Sequence, residues 1–402
     1  MNILLLTSVY PSPDDENENV TKVVRYFAKE WGNQGHTVRV IHNVHRYPLL
    51  VHLLPKFIKR RIAAKLGFYI PDMKAVKAMR FEDGDVSVNR IPVFKFLPHG
   101  DHPRRAIVNV AKKIESLNSS VGFSPDLIVG HWMSPQVQII ARLKEVYHCR
   151  TALVLHGRGY LNDPKFDAKK YLKSIDALGC RSRAEAEYVQ SVLGCEKKPF
   201  VCYSGVPDDF ITGHTYDEEK FASVPKKWRF IYVGRLVAYK SIDKVLHALA
   251  AFRDRDFVFD VIGNGAEEAS LKNLAHELGI EEKVAFHGRM PRDRVMDYMR
   301  KAHCFVMISK GEIFGLVYLE AMAASCLAIG SKDEGIDGVI ENGVNGFLAP
   351  AADADGLKAV LDRLFEMDAQ QLQKYSRMGF NTASEFTDSN VAKWYLESIF
   401  DQ

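Results

Sequence analysis

The strongest constraint on this chain is a series of short apolar segments that do not alternate, each separated from the next by a stretch with helical spacing. In the first half these are Ile3–Leu6, Val38–His42, Leu127–Gly130, Ala152–Leu155 and Phe200–Tyr203. Amphipathic helices are predicted from about Val20 to Trp31, over Gln136–Tyr147 and over Arg183–Leu193. A strand that is apolar at every position must be covered on both faces, which a parallel sheet between helices achieves. The pattern restarts at Arg229–Val233 and runs on through Phe257–Ile262, Val284–Phe286, Cys304–Ile308 and Leu327–Ile329. At 402 residues the chain exceeds what one core usually serves, so it reads as two Rossmann-like α/β units. The expected division is 1–206 and 207–387, with a loop-like stretch near 206–224. A last amphipathic helix within 388–402 needs a partner surface (Val391, Trp394, Tyr395 and Ile399) and is assigned to the first unit.

Composition narrows the function classes. Hydrophobic residues at 47% and charged residues at 26% exclude a disordered or fibrous chain. A net charge of +4 argues against a nucleic-acid binder that works by bulk charge. Six cysteines show no metal-ligand spacing and read as reduced core residues in a cytoplasmic protein. No apolar run approaches the ~20 residues that span a bilayer, and Met1–Thr7 reads as a buried strand rather than a signal segment.

The charge is unevenly placed, however. From Trp31 to Pro71 there are seven Lys/Arg and no Asp or Glu. Within that stretch Leu54, Phe57, Ile58, Ile62 and Leu66 fall along one helical face, with Lys56, Lys59, Arg60 and Arg61 among the basic residues beside it. Such a helix either lies in an anionic membrane interface or packs on the core with a solvated basic back. The sequence supports the two equally.

Two strand-to-helix segments carry chemistry. Ser309-Lys-Gly-Glu-Ile-Phe-Gly-Leu-Val-Tyr-Leu-Glu follows a strand, with a helix starting near Phe314–Gly315. Free N–H groups at that start, at Gly315, Leu316 and Val317, suit a phosphate. Glu312 and Glu320, in an E-x₇-E spacing, suit hydroxyls of a sugar or ribose. Alone, that spacing would describe two surface glutamates; the glycine-rich context favours a site. Val233-Gly-Arg-Leu-Val-Ala-Tyr-Lys brings Arg235 and Lys240 to a sheet edge of the kind where α/β proteins bind ligands. Two cations there would compensate a diphosphate.

Together with Val261-Ile-Gly-Asn-Gly265, His287-Gly288, Glu320-Ala-Met-Ala and Asn342-Gly-Val-Asn-Gly-Phe-Leu348, these segments resemble the retaining nucleotide-sugar glycosyltransferases of the GT-B fold, family 4 type. The resemblance implies two Rossmann-like domains whose parallel sheets face a central cleft, with the C-terminal helix crossing back to the first domain. It implies a UDP- or GDP-linked sugar donor, no cofactor and no metal. The donor would meet Arg235, Lys240, Gly263, the amides of Phe314–Val317, and Glu312 at the sugar, with Glu320 at the ribose and Arg289–Met290 at the base. His156 stands at the family's active-site histidine position, and His131 and Trp132 are expected to face the acceptor side. The implied acceptor is a glycan hydroxyl, lipid-linked or part of a polysaccharide precursor, with the enzyme peripheral on the inner membrane face. An epimerase or hydrolase on the same fold, or a non-catalytic partner subunit, are the alternatives.

The chain departs from the family in three places. Tyr10–Lys22 contains no glycine, so Asn19 or Thr21 is the expected substitute contact. Ser325 and Leu327 replace a usual Gly and Pro, and Glu334-Gly335 stands where a Gly-Gly pair is common. Asp83-Gly-Asp85 fits a metal-binding D-x-D pattern but reads better as a hairpin turn. Gly263-Asn-Gly265 lacks the third glycine of a dinucleotide fingerprint.

Overall fold

The computed structural model describes residues 1–14, 21–55, 57–59, 61–62, 73–74, 76–96, 101–159, 161 and 166–402. They form two compact units. Unit 1 comprises Met1–Arg181, Ala186–Cys202 and Ala392–Gln402; unit 2 comprises Ser182–Glu185 and Tyr203–Val391.

Unit 1 holds strands β1 (Asn2–Thr7), β2 (Thr37–Arg46), β3 (Met79–Asp83), β4 (Val86–Phe94), β5 (Leu127–His131), β6 (Arg150–Val154), β7 (Ala177–Cys180) and β8 (Phe200–Val201). Their order is β3-β4-β2-β1-β5-β6-β7-β8. All neighbours are parallel except the β3–β4 hairpin. β1 lies between β2 and β5, and Ile3–Leu6 are wholly buried, as a strand covered on both faces requires. Helix Val23–Asn33 buries Val24, Phe27, Ala28 and Trp31, an i, i+3, i+4, i+7 spacing that marks one face. Gly35, at φ +85°, then lets the chain turn back into β2.

Unit 2 holds β9 (Trp228–Val233), β10 (Phe257–Ile262), β11 (Val284–Gly288), β12 (Cys304–Val306), β13 (Leu327–Ser331) and β14 (Phe347–Ala349), all parallel, in the order β11-β10-β9-β12-β13-β14. This is the doubly wound order in which the chain reverses direction across the sheet between its first and fourth strands. Its core is built from these strands and the helices flanking them, among them Ile242–Ala250, Leu316–Ala323 and Ala354–Glu366.

The structure departs from the sequence expectation at the boundary. It falls between Cys202 and Tyr203 rather than after residue 206, and Ser182–Glu185 also belong to unit 2. Tyr203 sets its ring edge-on against Phe386 at 5.1 Å, and Val206 bridges to Thr387, both in unit 2. Phe221, inside the expected linker, is buried in the second core. The last helix, Asp388–Asp401, counts with unit 2 to Val391 and with unit 1 from Ala392. In unit 1 the Trp31 indole donates to the Ala392 carbonyl at 2.9 Å, and the Tyr395 ring lies among Phe27, Trp31 and Phe200.

The Asp83–Asp85 segment is the β3–β4 turn, with Gly84 at φ +64°. The Asp83 carboxylate is taken by Arg25 and by the Tyr10 hydroxyl, which hold it down at about 2.

The basic helix needs correction. Residues 57–59 and 61–62 are helical, while Lys56 and Arg60 lie outside the described residues. Lys59 is only 8% exposed and Phe57 is 65% exposed. Lys59 therefore meets neither a membrane surface nor bulk water, and Arg61 is exposed. Helical spacing sorts residues around an axis, but tertiary contacts decide which side of the axis is covered.

Candidate functional site

In unit 2 the loops after β9 and β12 meet at the point where the strand order reverses. The β9 loop ends in a 3-10 turn, Ala238–Lys240, closed by Ser241 at φ +54°. The other loop is tied to it by the Lys310 N–H, which donates to the Tyr239 carbonyl at 2.9 Å. Lys240 and Glu312 form an ion pair, their side chains 12% and 16% exposed. Lys240 Nζ also lies 3.6 Å from Met307 Sδ. Arg235 is exposed, and its guanidinium donates to the Tyr239 hydroxyl at 3.0 Å. The Tyr232 hydroxyl donates to the Arg235 carbonyl at 2.9 Å; burial, then the Glu312 charge, push this phenol up and keep it a neutral donor.

The Ser309–Gly315 loop is shaped by residues that sequence reasoning counted as departures. One oxygen of the Glu334 carboxylate accepts from the Gly311 and Glu312 amides at 2.9 and 3.0 Å. The Gly335 amide returns a bond to the Glu312 carbonyl at 3.1 Å, and a Cβ at 335 would stand 2.5 Å from the Phe314 nitrogen. The Glu334-Gly335 pair thus positions the Glu312 backbone.

Gly315 sits at φ +84° and caps helix Leu316–Ala323, whose first turn carries no acidic residue. The Leu316 and Val317 amides lie in that first turn and have no intrahelical partner. Phe314 is buried with its ring 6.1 Å from Tyr203, so only its main chain is available to a ligand.

Gly263 is at φ +139°, where a Cβ would lie 1.8 Å from the Gly234 carbonyl oxygen. The Gly234 amide donates to Ile262, that of Gly263 to Gly288, and that of Leu236 to Asn264, at 2.9–3.0 Å. The loops following β9, β10 and β11 are therefore locked edge to edge. This packing accounts for the Gly-Asn-Gly motif without a dinucleotide.

Further along, Glu320 pairs with Arg292, which opens helix Arg292–Lys301 and lies 4.7 Å over the Phe210 ring. Sequence reasoning missed Arg292. Its only signal was a position just after Pro291 at a helix start. Arg289 is exposed, and Met290 packs against the core. Unit 2 thus assembles three cations (Arg235, Lys240 and Arg292), two carboxylates (Glu312 and Glu320) and a helix N-terminus, a set that can bind a phosphate group and hydroxyls together.

In unit 1, β5 ends in His131 and β6 leads to His156. Their rings meet at 2.9 Å, His131 Nδ1 to His156 Nε2. His131 Nε2 stands 3.2 Å from the Tyr395 hydroxyl. His131 is fully buried, contrary to the expectation that it faces a substrate. Its ring is enclosed by Phe27 and Tyr395 and its Nδ1 meets His156, so it is placed to orient His156 instead. Trp132 adopts φ +65° and stacks on His156 at 4.1 Å and 17°.

Burial holds both imidazoles far below the ordinary histidine range. For His156, the His131 ring and then Arg181 add to the effect. His156 is half-buried and neutral. Thr21 is exposed, and Asn19 lies outside the described residues. At the reversal point of this sheet the Gln136 amide donates to Ser8 Oγ at 2.9 Å, a contact not anticipated from sequence.

The family model described as glycosyl transferases group 1 matches residues 215–383, inside unit 2. An uncharacterised glycosyltransferase of Methanocaldococcus jannaschii is 28% identical over 259 residues, covering 63% of this chain and 68% of that protein. Among solved structures, the sucrose-phosphate synthase of Thermosynechococcus elongatus superposes with a TM-score of 0.69 at 18% identity, covering all of both chains. Anabaena HepE, solved in complex with UDP, gives 0.65 at 15% identity, again over the whole of both chains. At these identities the two structures speak for the fold alone.

Proposed function

We propose that this chain, which matches the group 1 glycosyl transferases over residues 215–383 and has the GT-B fold, transfers a sugar, with retention, from a UDP- or GDP-linked donor to a glycan hydroxyl. The proposed acceptor is lipid-linked or a polysaccharide precursor, met at the inner face of a membrane. The observation that carries the donor reading is the Lys240–Glu312 pair at the reversal point of the second sheet, beside the helix that starts at Leu316. A diphosphate requires cations and N–H donors, and sugar hydroxyls require acceptors; that edge supplies both.

In the proposed reaction the acceptor oxygen bonds to the anomeric carbon as the bond from that carbon to the phosphate oxygen breaks. The nucleoside diphosphate leaves with the electron pair, on the face from which attack occurs, and takes up the acceptor's proton. Lys240, Arg235 and the Leu316 and Val317 amides stabilise the charge that grows on the leaving group. With those groups present, the reading needs no metal. Glu312 accepts from hydroxyls of the transferred sugar and Glu320 from the ribose, while Arg289 and Met290 border the base. Neutral His156, fixed by His131 and Trp132, is available to a substrate hydroxyl.

The test is acceptor-dependent release of nucleoside diphosphate from UDP- and GDP-sugars, with and without EDTA. Release that requires a glycan acceptor supports transfer. Equal release without one identifies a hydrolase or epimerase and overturns the reading. NMR of the product anomer tests retention.

A further inference from the structure

We propose that unit 1 carries a binding groove for an anionic lipid: an apolar chain held between the ends of β2 and β4 and helix Arg104–Ser119, with its phosphate head on Arg46, Lys77 and Lys113. The proposal rests on the lipid-linked acceptor reading above and places that lipid in the fold.

The groove follows from strand register. β2 runs four residues beyond the expected His42, to Arg46, which pairs with Phe94 at the end of β4; Val44 pairs with Pro92. Helix Arg104–Ser119 buries Ile107, Val110, Ala111 and Ile114 but leaves Asn109 and Lys113 exposed. Between them opens a cavity of about 610 Å³, with Ile91, Pro92, Phe94, Ala106 and Val110 among its walls. A second hollow of about 200 Å³ shares Arg46, Met73, Pro92 and Phe94 with the first and continues to Leu49. The larger volume is in the range of ligand pockets, about 300–1,000 Å³.

Charge selects the occupant. Among the described residues, the lining of the larger cavity includes Arg46, Lys77 and Lys113 and no Asp or Glu. All three are exposed, and among the described residues none has an ion pair or a side-chain hydrogen bond. A free sugar phosphate would leave the apolar wall wet, and a plain hydrocarbon would leave the cations unused. A phosphate on an apolar chain satisfies both, since each buried methylene contributes about 0.8 kcal/mol and Arg and Lys bind phosphate oxygens strongly.

Leu49, in the wall of the smaller hollow, and Leu50 and Leu53, which follow it along the chain, are 59%, 79% and 64% exposed. They are apolar side chains in water, at a position suited to entering the bilayer from which the lipid is drawn. Unlike the buried Lys59, the three cations Arg46, Lys77 and Lys113 are exposed, and tertiary structure brings them together from β2, the segment before β3 and a helix.

The experiment uses the full-length protein saturated with UDP, so that the diphosphate site is occupied. Farnesyl diphosphate, below its micelle concentration, is titrated by calorimetry against inorganic diphosphate and farnesol as head-only and chain-only probes. Farnesyl diphosphate should bind at least about tenfold more tightly than either probe, because charge and chain act together. The surface double variant Arg46→Glu/Lys113→Glu and the cavity-filling Ala106→Trp should each lower that affinity about tenfold or more while UDP affinity stays unchanged.

Absence of lipid binding overturns the groove, as do equal binding of inorganic diphosphate and unaltered affinity in the double variant. UDP binding, read in the same samples, reports separately on the donor site. If UDP binds and the lipid does not, only the groove is lost.

Discussion

Glu312→Gln should tighten binding of the free nucleoside diphosphate while slowing sugar transfer about a hundredfold, and Lys240→Met should weaken both. The Lys240 ammonium is held by the Glu312 carboxylate, and both are largely withdrawn from water. A diphosphate reaching Lys240 therefore arrives beside a negative charge. Two unit charges about 5 Å apart repel by about 3 kcal/mol at an effective dielectric constant of about 20. The residual exposure of both groups reduces this to about 1–2 kcal/mol.

Exchanging the carboxylate for its amide removes the repulsion, so UDP or GDP should bind about tenfold more tightly, 1.4 kcal/mol being tenfold. The same change removes an acceptor for the sugar hydroxyls, and kcat/KM for transfer should fall about a hundredfold. Lys240→Met strips the cation and leaves the Glu312 charge facing the phosphates, which should cost about 3 kcal/mol of nucleotide affinity, about a hundredfold. The double variant should lie between the two single ones. Titration calorimetry with both nucleotides on the four proteins, with transfer assays alongside, completes the cycle. If Glu312→Gln weakens nucleotide binding as much as Lys240→Met does, the pair does not compete with the diphosphate and the reasoning fails.

Other perturbations follow from the same structure. Gly263→Ala pushes a Cβ against the Gly234 carbonyl; it should cost about 2–4 kcal/mol in urea unfolding and reduce nucleotide binding. Glu320→Gln should raise the donor KM about tenfold and leave kcat nearly unchanged, because the ribose is bound alike in ground and transition states; steady-state kinetics with varied donor decides it. Acid should destabilise the fold. Burial lowers His42, His45 and His303 to about 4. Below the ordinary histidine value near 6.5 the unfolded chain binds protons that the folded chain refuses, so stability falls as pH drops. Each such residue should remove up to about 1.4 kcal/mol per pH unit between about 6.5 and 4, visible as a falling Tm in calorimetry; a Tm that is flat across that window would contradict the burial argument.

Much of unit 2 was legible because its signals are local. Non-alternating apolar runs mark covered strands, and the change from strand to helix after Cys304–Ile308 places Gly315 at a cap, where its φ of +84° is found. What the sequence could not show depends on contacts between distant segments. Glu334 closes on the Gly311 and Glu312 amides across more than twenty residues, and Arg292 reaches Glu320 across twenty-eight. His131, at a strand end, was expected to face the acceptor side, yet packing of the Tyr395 ring from the last helix makes it internal.

By itself the sequence determined the architecture class, the parallel sheets and the elements that bear the candidate donor residues, because periodicity and glycine conformations are set by neighbours in the chain. Tertiary structure alone decided which cations stand free and which are occupied. Lys240 is engaged by Glu312 and Lys59 is buried, whereas Arg46, Lys77 and Lys113 gather around an apolar cavity. A charge's availability depends on the groups folded against it, and no count along the chain contains that information.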